Sequence, residues 1–377
     1  MIRNLYTKSF LCLTVALATM MSPISSAAQL VDHVELYNGL CVKPGGTMPV
    51  DAHGWKKGDR LLFEATEGRT GMFEAKVIME SDTTAHIKLP RKMQEAKYMV
   101  TLLRGNKRQR LGLTLLRVPE KMPKGTPVSA HRGVFNAPGS AQNSRQSIQL
   151  AIDMGIKACE IDVWRTQDGV LVINHDAKLN GIIVQNATSE EVKKLRLSNG
   201  ETVPLLSELL DMIKPDDVKL NLMVEIKRHT TEEKNKAVVE DVVKMIKEYG
   251  LEKKVCFISF GYNICKHLAA IMPMCPVYYI EHVAKKSKSL QYKDIGIVDF
   301  DEVKKAGIAG LTLGAGWLLK DHPEWMEEAH EKGLGVNCCV YDGVERCIIA
   351  NNDNAEYITT NTPEIAQRIY LHYRNNQ

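Results

Sequence analysis

The chain has 377 residues, of which 44% are hydrophobic and 25% charged, with a formal net charge of +4. That length suggests two domains and a sizeable core, and the composition excludes a globally disordered chain. Setting aside Arg3 and Lys8 of the leading segment lowers the charge to +2, which leaves no electrostatic case for a nucleic-acid partner.

Residues 1–28 read as a secretory signal peptide. Arg3 and Lys8 make a basic start, FLCLTVALATMM (10–21) is an apolar stretch short for a membrane span, and SPISSAA (22–28) offers small residues for cleavage near Ala27 or Ala28. A retained N-terminal anchor helix is the competing reading. Cleavage implies an exported protein, periplasmic or extracellular, with no transmembrane anchor. Cys12 precedes most of the apolar run and is badly placed for lipid attachment. Eight cysteines follow, with no CxxC pair and no zinc-like spacing. Export permits disulfides. Cys159, Cys256, Cys338 and Cys339, however, lie in strand-like apolar runs where free cysteine packs as a small hydrophobe, so mostly free thiols are expected.

Residues 29–118 carry little helical periodicity. GWKKGDRLLFEA (54–65) reads as a turn and a strand, and YMVTLLRGNKRQRLGLTLLRV (98–118) as a hairpin about a Gly-Asn-Lys turn. Turn signals recur about every ten residues, which predicts a small all-β, immunoglobulin-like sandwich. PEKMPKGTPVS (119–129) has three prolines and a glycine, so residues 119–127 read as a linker.

From 128 to 377 short apolar runs alternate with amphipathic stretches. Strands are predicted at 128–131, 157–164, 170–175, 220–227, 254–260, 277–281, 308–314, 334–341 and 356–360. Helices are predicted at 144–155, 204–213, 230–250, 322–333 and 343–352, several of them ending at glycine. This alternation predicts an α/β domain, either an open parallel sheet or a TIM-type (β/α)8 barrel. Nine strand candidates exceed eight barrel positions, so one is miscounted or lies outside. The link from Asp162 to Val170 is too short for the helix a regular barrel has there.

Polar residues gather at the ends of the first four candidates: His131 and Arg132, then Glu160 and Asp162, then His175, then Glu225 and Lys227. In a strand, residues i and i+2 face the same side, so Glu160 pairs with Asp162 and Glu225 with Lys227. Three carboxylates on one face repel, and a divalent cation removes that cost. Oxygen-only ligands favour Mg²⁺ or Ca²⁺ over zinc. Two imidazoles suit general acid and base work, and Arg132 and Lys227 suit an anionic oxygen group. The set points to phosphoryl chemistry. Taken singly, each histidine is more often a surface residue, and Glu160 alone reads as a carboxylate paired with lysine; the joint placement raises the odds. His33, His229, His322 and His372 sit in polar contexts and receive no role.

The segments AHRG (130–133), EIDVWRTQDGVLVINHD (160–176) and VEIK (224–227) resemble the signature segments of the glycerophosphodiester phosphodiesterase family. The resemblance continues through GETVPLLSELL (200–210), ISF (258–260) and YITTNTP (357–363), and covers roughly residues 125–370. It implies a TIM barrel related to phosphoinositide phospholipases C. It further implies His131 and His175 as the acid/base pair, Glu160, Asp162 and Glu225 as metal ligands, and Arg132 and Lys227 as phosphate contacts. The implied reaction is metal-dependent hydrolysis of a glycerophosphodiester to sn-glycerol 3-phosphate and an alcohol, through a cyclic phosphate.

The chain departs from the family pattern at a few positions. Gln142 stands where the family has glutamate, the tryptophan expected in a late strand is replaced around Cys338 and Cys339, and Thr360-Asn361 stands for Thr-Asp. Only residues 179–203 remain for an insertion after the His-Asp strand, so any lid is small. These changes bear on substrate preference more than on reaction type. Other readings are a related phosphodiesterase or phospholipase D-like enzyme, or a secreted binding protein with a degenerate barrel; the seven intact positions argue against the last. The sequence carries no signal for a particular oligomeric state.

Overall fold

The computed structural model describes residues 35–36, 41–42, 45, 47–51, 54–67, 71–119, 122, 125–281, 299–314 and 324–374. The expected export segment, 1–28, lies outside the described residues. The chain divides into two compact units, Met1–Glu120 and Lys121–Gln377. No helix among the described residues is long and apolar enough to cross a membrane.

The first unit is all β: β1 (Glu35–Leu36), β2 (Cys41–Val42), β3 (Thr47–Asp51), β4 (Arg60–Ala65), β5 (Met72–Met79), β6 (Thr84–Lys88), β7 (Ala96–Arg104) and β8 (Lys107–Arg117). Its strand order is β1-β3-β6-β5-β4-β7-β8-β2. The front of β5 pairs with β4 and its rear with β6, so this one strand passes between two layers. The layers β1-β3-β6-β5 and β5-β4-β7-β8-β2 match the two sheets of an immunoglobulin-type sandwich. Leu61, Phe63, Val77, Ile87, Tyr98 and Val100 fill one shared core. Tyr98, near the start of β7, donates its hydroxyl to the Gln94 carbonyl at 2.9 Å. That is the tyrosine corner which fixes the crossover in such sandwiches. The predicted hairpin of 98–118 is β7 and β8, turning at Gly105 with φ 56°.

The second unit is a closed barrel of eight parallel strands: β9 (Val128–Ala130), β10 (Ala158–Arg165), β14 (Asn221–Ile226), β15 (Val255–Ser259), β16 (Val277–Glu281), β17 (Gly310–Leu313), β18 (Gly335–Cys339) and β19 (Tyr357–Thr360). Each pairs in parallel with the next, and β9 closes the ring by pairing with both β19 and β10. The strands are apolar nearly throughout because barrel strands are covered on both faces. The described helices are α1 (Arg145–Asp153), α2 (Ser189–Lys193), α3 (Leu206–Ile213), α4 (Glu232–Tyr249), α5 (Tyr262–Ile271), α6 (Phe300–Lys305), α7 (Glu324–Glu331), α8 (Gly343–Asn352) and α9 (Pro363–Arg374). The turn-loving side chains of Ser144, Thr188 and Thr231 cap α1, α2 and α4, and Gly250 closes α4 in the left-handed region.

The surplus strand of the sequence reading is β11 (Leu171–Ile173). It pairs antiparallel with the far end of β10 and takes no barrel position. Its apolar run resembles a parallel barrel strand, but the tight turn from Thr166 to Gly169 allows only a hairpin return. A second small hairpin, β12 (Lys178–Leu179) with β13 (Ile182–Ile183), follows. Among the described residues no disulfide forms, and burial raises the Cys159, Cys256, Cys265 and Cys338 thiols above their ordinary range.

Candidate active site

All seven predicted residues come to the C-terminal mouth of the barrel, where strand ends converge. His131 and Arg132 follow β9, Glu160 and Asp162 lie on β10, and Glu225 and Lys227 end β14. Asp162 and Glu225 are direct partners across the β10–β14 ladder, so their side chains stand side by side. His175 arrives by a different route from that expected. β11 takes the edge of β10 that β9 leaves after Cys159 and runs back toward the mouth. Asn174 N–H donates to the Asp162 carbonyl at 3.0 Å and Trp164 Nε1 donates to the His175 carbonyl at 3.4 Å, which hold the return.

One ligand atom from each of Glu160, Asp162 and Glu225 lies within 4.8 Å of the others, and all three residues are buried. Desolvation and repulsion should push carboxylates so placed toward their neutral forms. Burial, with the Asp162 and Glu225 charges, raises Glu160 well above the usual range. Burial and Asp162 raise Glu225 to about 7. Asp162 goes the other way: burial pushes it up, but the Lys227 ammonium and His175 outweigh that and hold it down. Lys227 Nζ stands 2.6 Å from both Asp162 Oδ1 and Glu225 Oε1. Its side chain thus turns in toward the carboxylates, where it acts as their counter-ion. Glu160 Oε2 accepts the Arg132 N–H at 2.9 Å, while its buried Oε1 has no hydrogen-bond partner. A hard, oxygen-only cluster in which buried Glu160 Oε1 and Asp162 Oδ1 lack a hydrogen-bond partner, the latter ion-paired with Lys227, fits a divalent cation of the Mg²⁺ or Ca²⁺ kind.

The backbone around Arg132 is built for this approach. Arg132 has φ 55° and Gly133 φ 81°. A Cβ on Gly133 would fall 2.1 Å from Ser147 Oγ, so glycine is required where the turn packs on α1. Arg132 reaches Gln142 Oε1 at 2.8 Å through one guanidinium nitrogen, and its Nε lies 3.8 Å from Asp162 Oδ2. Gln142 therefore anchors the arginine with a neutral carbonyl.

The histidines differ in their surroundings. Burial, offset in part by Asn361, pulls His131 down to about 4, so its imidazole is neutral near pH 7. Its Nδ1 lies 2.7 Å from Asn361 Oδ1, and its Nε2 lies 3.9 Å from Glu160 Oε2. His175 is half-exposed, with Nδ1 2.8 Å from Asp176 Oδ1. Burial lowers it, against the opposing pull of Asp162.

Three contributors escaped the sequence reading. Asn143, at φ 59°, donates Nδ2–H to Asp162 Oδ2 at 2.7 Å and accepts the Asp162 N–H at 3.2 Å, fixing that carboxylate from below. His229, placed in a polar context by sequence, is buried: its Nε2 accepts the Arg165 N–H at 3.1 Å, leaving Nδ1–H to donate to the Lys227 carbonyl at 2.9 Å. It ties β14 to β10 and seats Lys227. Asp342 binds Asn361 behind His131. Only Asn143 had a sequence signal, an asparagine just before a helix cap.

The family model described as "Glycerophosphoryl diester phosphodiesterase family" matches residues 131–345. A curated glycerophosphodiester phosphodiesterase of Caldanaerobacter subterraneus is 31% identical over 160 residues, 39% of this chain and 63% of that protein. The chain thus matches less than two thirds of that relative's length. A solved glycerophosphodiester phosphodiesterase from Parabacteroides distasonis superposes with a TM-score of 0.60 at 31% identity, covering 67% of this chain and 99% of the other. An Oleispira antarctica phosphodiesterase, solved with its product sn-glycerol-3-phosphate, shares the fold at 22% identity and a TM-score of 0.50, covering 67% of this chain and 97% of the other.

Proposed function

The chain belongs to the glycerophosphoryl diester phosphodiesterase family, and from that premise we propose that it hydrolyses glycerophosphodiesters to sn-glycerol 3-phosphate and an alcohol with a divalent cation and two histidines. The observation that carries this reading is the arrangement of His131 and His175 around the buried Glu160–Asp162–Glu225 cluster at one barrel mouth.

The cluster would hold Mg²⁺ or Ca²⁺, which when bound supplies positive charge to the phosphate oxygens. The chain's own groups do the rest. Arg132 lies beside the cluster as a cation for the phosphodiester, and Lys227 can turn from Asp162 and Glu225 to share that role. His131, neutral with its Nε2 toward Glu160, suits the base that takes the proton of the substrate's 2-hydroxyl as that oxygen attacks phosphorus. His175, whose protonated form the Asp162 charge and the Nδ1 pair with Asp176 favour against burial, suits the acid that gives its proton to the leaving alcohol. The P–O bond to the alcohol breaks, and a five-membered cyclic phosphate remains. In the second half His175, now neutral, takes a proton from water. Water adds to phosphorus, the ring bond to the 2-oxygen breaks, and His131 returns its proton there. Both histidines end as they began.

The basic start and apolar run within residues 1–28 favour an exported enzyme meeting such diesters outside the cytoplasm. The test is glycerol 3-phosphate release from glycerophosphocholine, glycerophosphoethanolamine and glycerophosphoinositol. Release that stops with chelator and returns with Mg²⁺ or Ca²⁺ is expected. No release from any of the three by folded, metal-supplied protein would direct attention to another phosphodiester.

A further inference from the structure

We propose that Asp342 is a positioning residue which, through Asn361, holds His131 as the Nδ1–H tautomer with its Nε2 lone pair open to the site. The inference rests on the acid/base role given to His131 above.

Asp342 precedes α8 in the loop after β18, and it caps no helix N–H with its side chain. Its carboxylate is turned instead to the end of β19. Oδ1 accepts the Asn361 N–H at 2.7 Å and the Thr360 hydroxyl at 2.9 Å, and Oδ2 accepts Asn361 Nδ2–H at 3.0 Å. A carboxylate offers only acceptors, so the amide nitrogen of Asn361 must face it. The Asn361 carbonyl oxygen must then face the other way, 2.7 Å from His131 Nδ1. That oxygen also only accepts, so Nδ1 carries the hydrogen and Nε2 carries the lone pair. The Asn361 main chain is pinned as well: its carbonyl accepts Asn136 Nδ2–H at 2.8 Å, and the Thr360 carbonyl accepts the His131 N–H at 3.0 Å.

An asparagine amide is nearly symmetric in shape, so nothing steric dictates which end meets His131. The charge on Asp342 decides it. With that charge removed, the Asn361 amide is free to rotate, present NH₂ to Nδ1, and move the imidazole hydrogen onto Nε2. A base with its hydrogen on the reacting nitrogen cannot accept the substrate's proton, and a wrong-tautomer imidazole costs on the order of 10⁴-fold in a comparable hydrolytic triad.

The decisive set is the full chain as wild type, as Asp342→Asn, and as the swap Asp342→Asn with Asn361→Asp, labelled with ¹⁵N-histidine. The His131 signals are assigned by their loss in His131→Ala. The wild type should show protonated Nδ1 and unprotonated Nε2. Asp342→Asn should lose that pattern and lower kcat about 10²–10³-fold on glycerophosphocholine, with KM little changed. The swap restores an acceptor facing Nδ1 and should recover the wild-type pattern and most of kcat. Retention of the Nδ1–H pattern and of kcat in Asp342→Asn would overturn the proposal. If the single variant does not fold, the swap decides: a folded swap with hydrogen on Nε2 overturns it. The spectra read the tautomer whether or not any glycerophosphodiester is cleaved, so failure of the relay and failure of the assigned reaction give different results.

Discussion

His131 and His175 serve one site from unlike settings. His131 is anchored on both sides, by the Thr360 carbonyl at its N–H and by Asn361 at Nδ1. His175 is half-exposed and held by its own neighbour, Asp176. A positioned acid or base contributes about 10²–10⁴-fold. His131→Ala and His175→Ala should each lower kcat by that amount while the fold survives, measured by steady-state assay beside a thermal melt. Near-wild-type turnover in either variant would remove that histidine from the mechanism. Gln142 acts at the same scale: it meets Arg132 as a neutral carbonyl and adds no negative charge to the Asp162 carboxylate already beside that guanidinium.

Among the elements, most of the barrel was legible, and the candidates Glu160, Asp162, Glu225 and Lys227 stood out because they form i, i+2 pairs of charged groups in or at the end of the otherwise apolar runs of β10 and β14. No core packing explains such pairs. β11 was misplaced because VLVI has the same apolar character whether it lies in the barrel or folds back beside it; only the short link from Asp162 to Val170 distinguished the two. His229 looked like a surface residue because its partners are main-chain groups of Arg165 and Lys227, which leave no mark on side-chain pattern. Asp342 was hidden for a different reason. It meets Asn361 only because β18 and β19 are ladder neighbours, a relation set by topology and not by sequence spacing. Helices α2, α5, α6 and α9 were also missed; of these, α2 and α6 have too few turns for a clear apolar stripe.

At the scale of the whole molecule, the buried cluster links metal, pH and stability. Glu225 is raised to about 7 and Glu160 well above its ordinary range, so the metal-free fold is stabilised by protons on these groups. The Glu225 contribution is full below the ordinary carboxylate range and is lost as pH rises through about 7, and the Glu160 contribution is lost as pH rises through its own raised range. A cation needs the same oxygens deprotonated, and it stabilises the fold it binds by mass action. Mg²⁺ or Ca²⁺ in large excess should therefore raise the melting temperature by about 5 °C or more at pH 7.5 and much less at pH 5. Glu225→Gln should shrink the gain. Equal shifts at both pH values would place the cation elsewhere. The most direct measurement of the central claim is ³¹P NMR of glycerophosphocholine with the metal-supplied full chain, because it reads which P–O bond breaks. The diester signal should give way to sn-glycerol 3-phosphate, with choline released. Phosphocholine and glycerol as products, or an unchanged diester in folded, metal-supplied protein, would contradict the account.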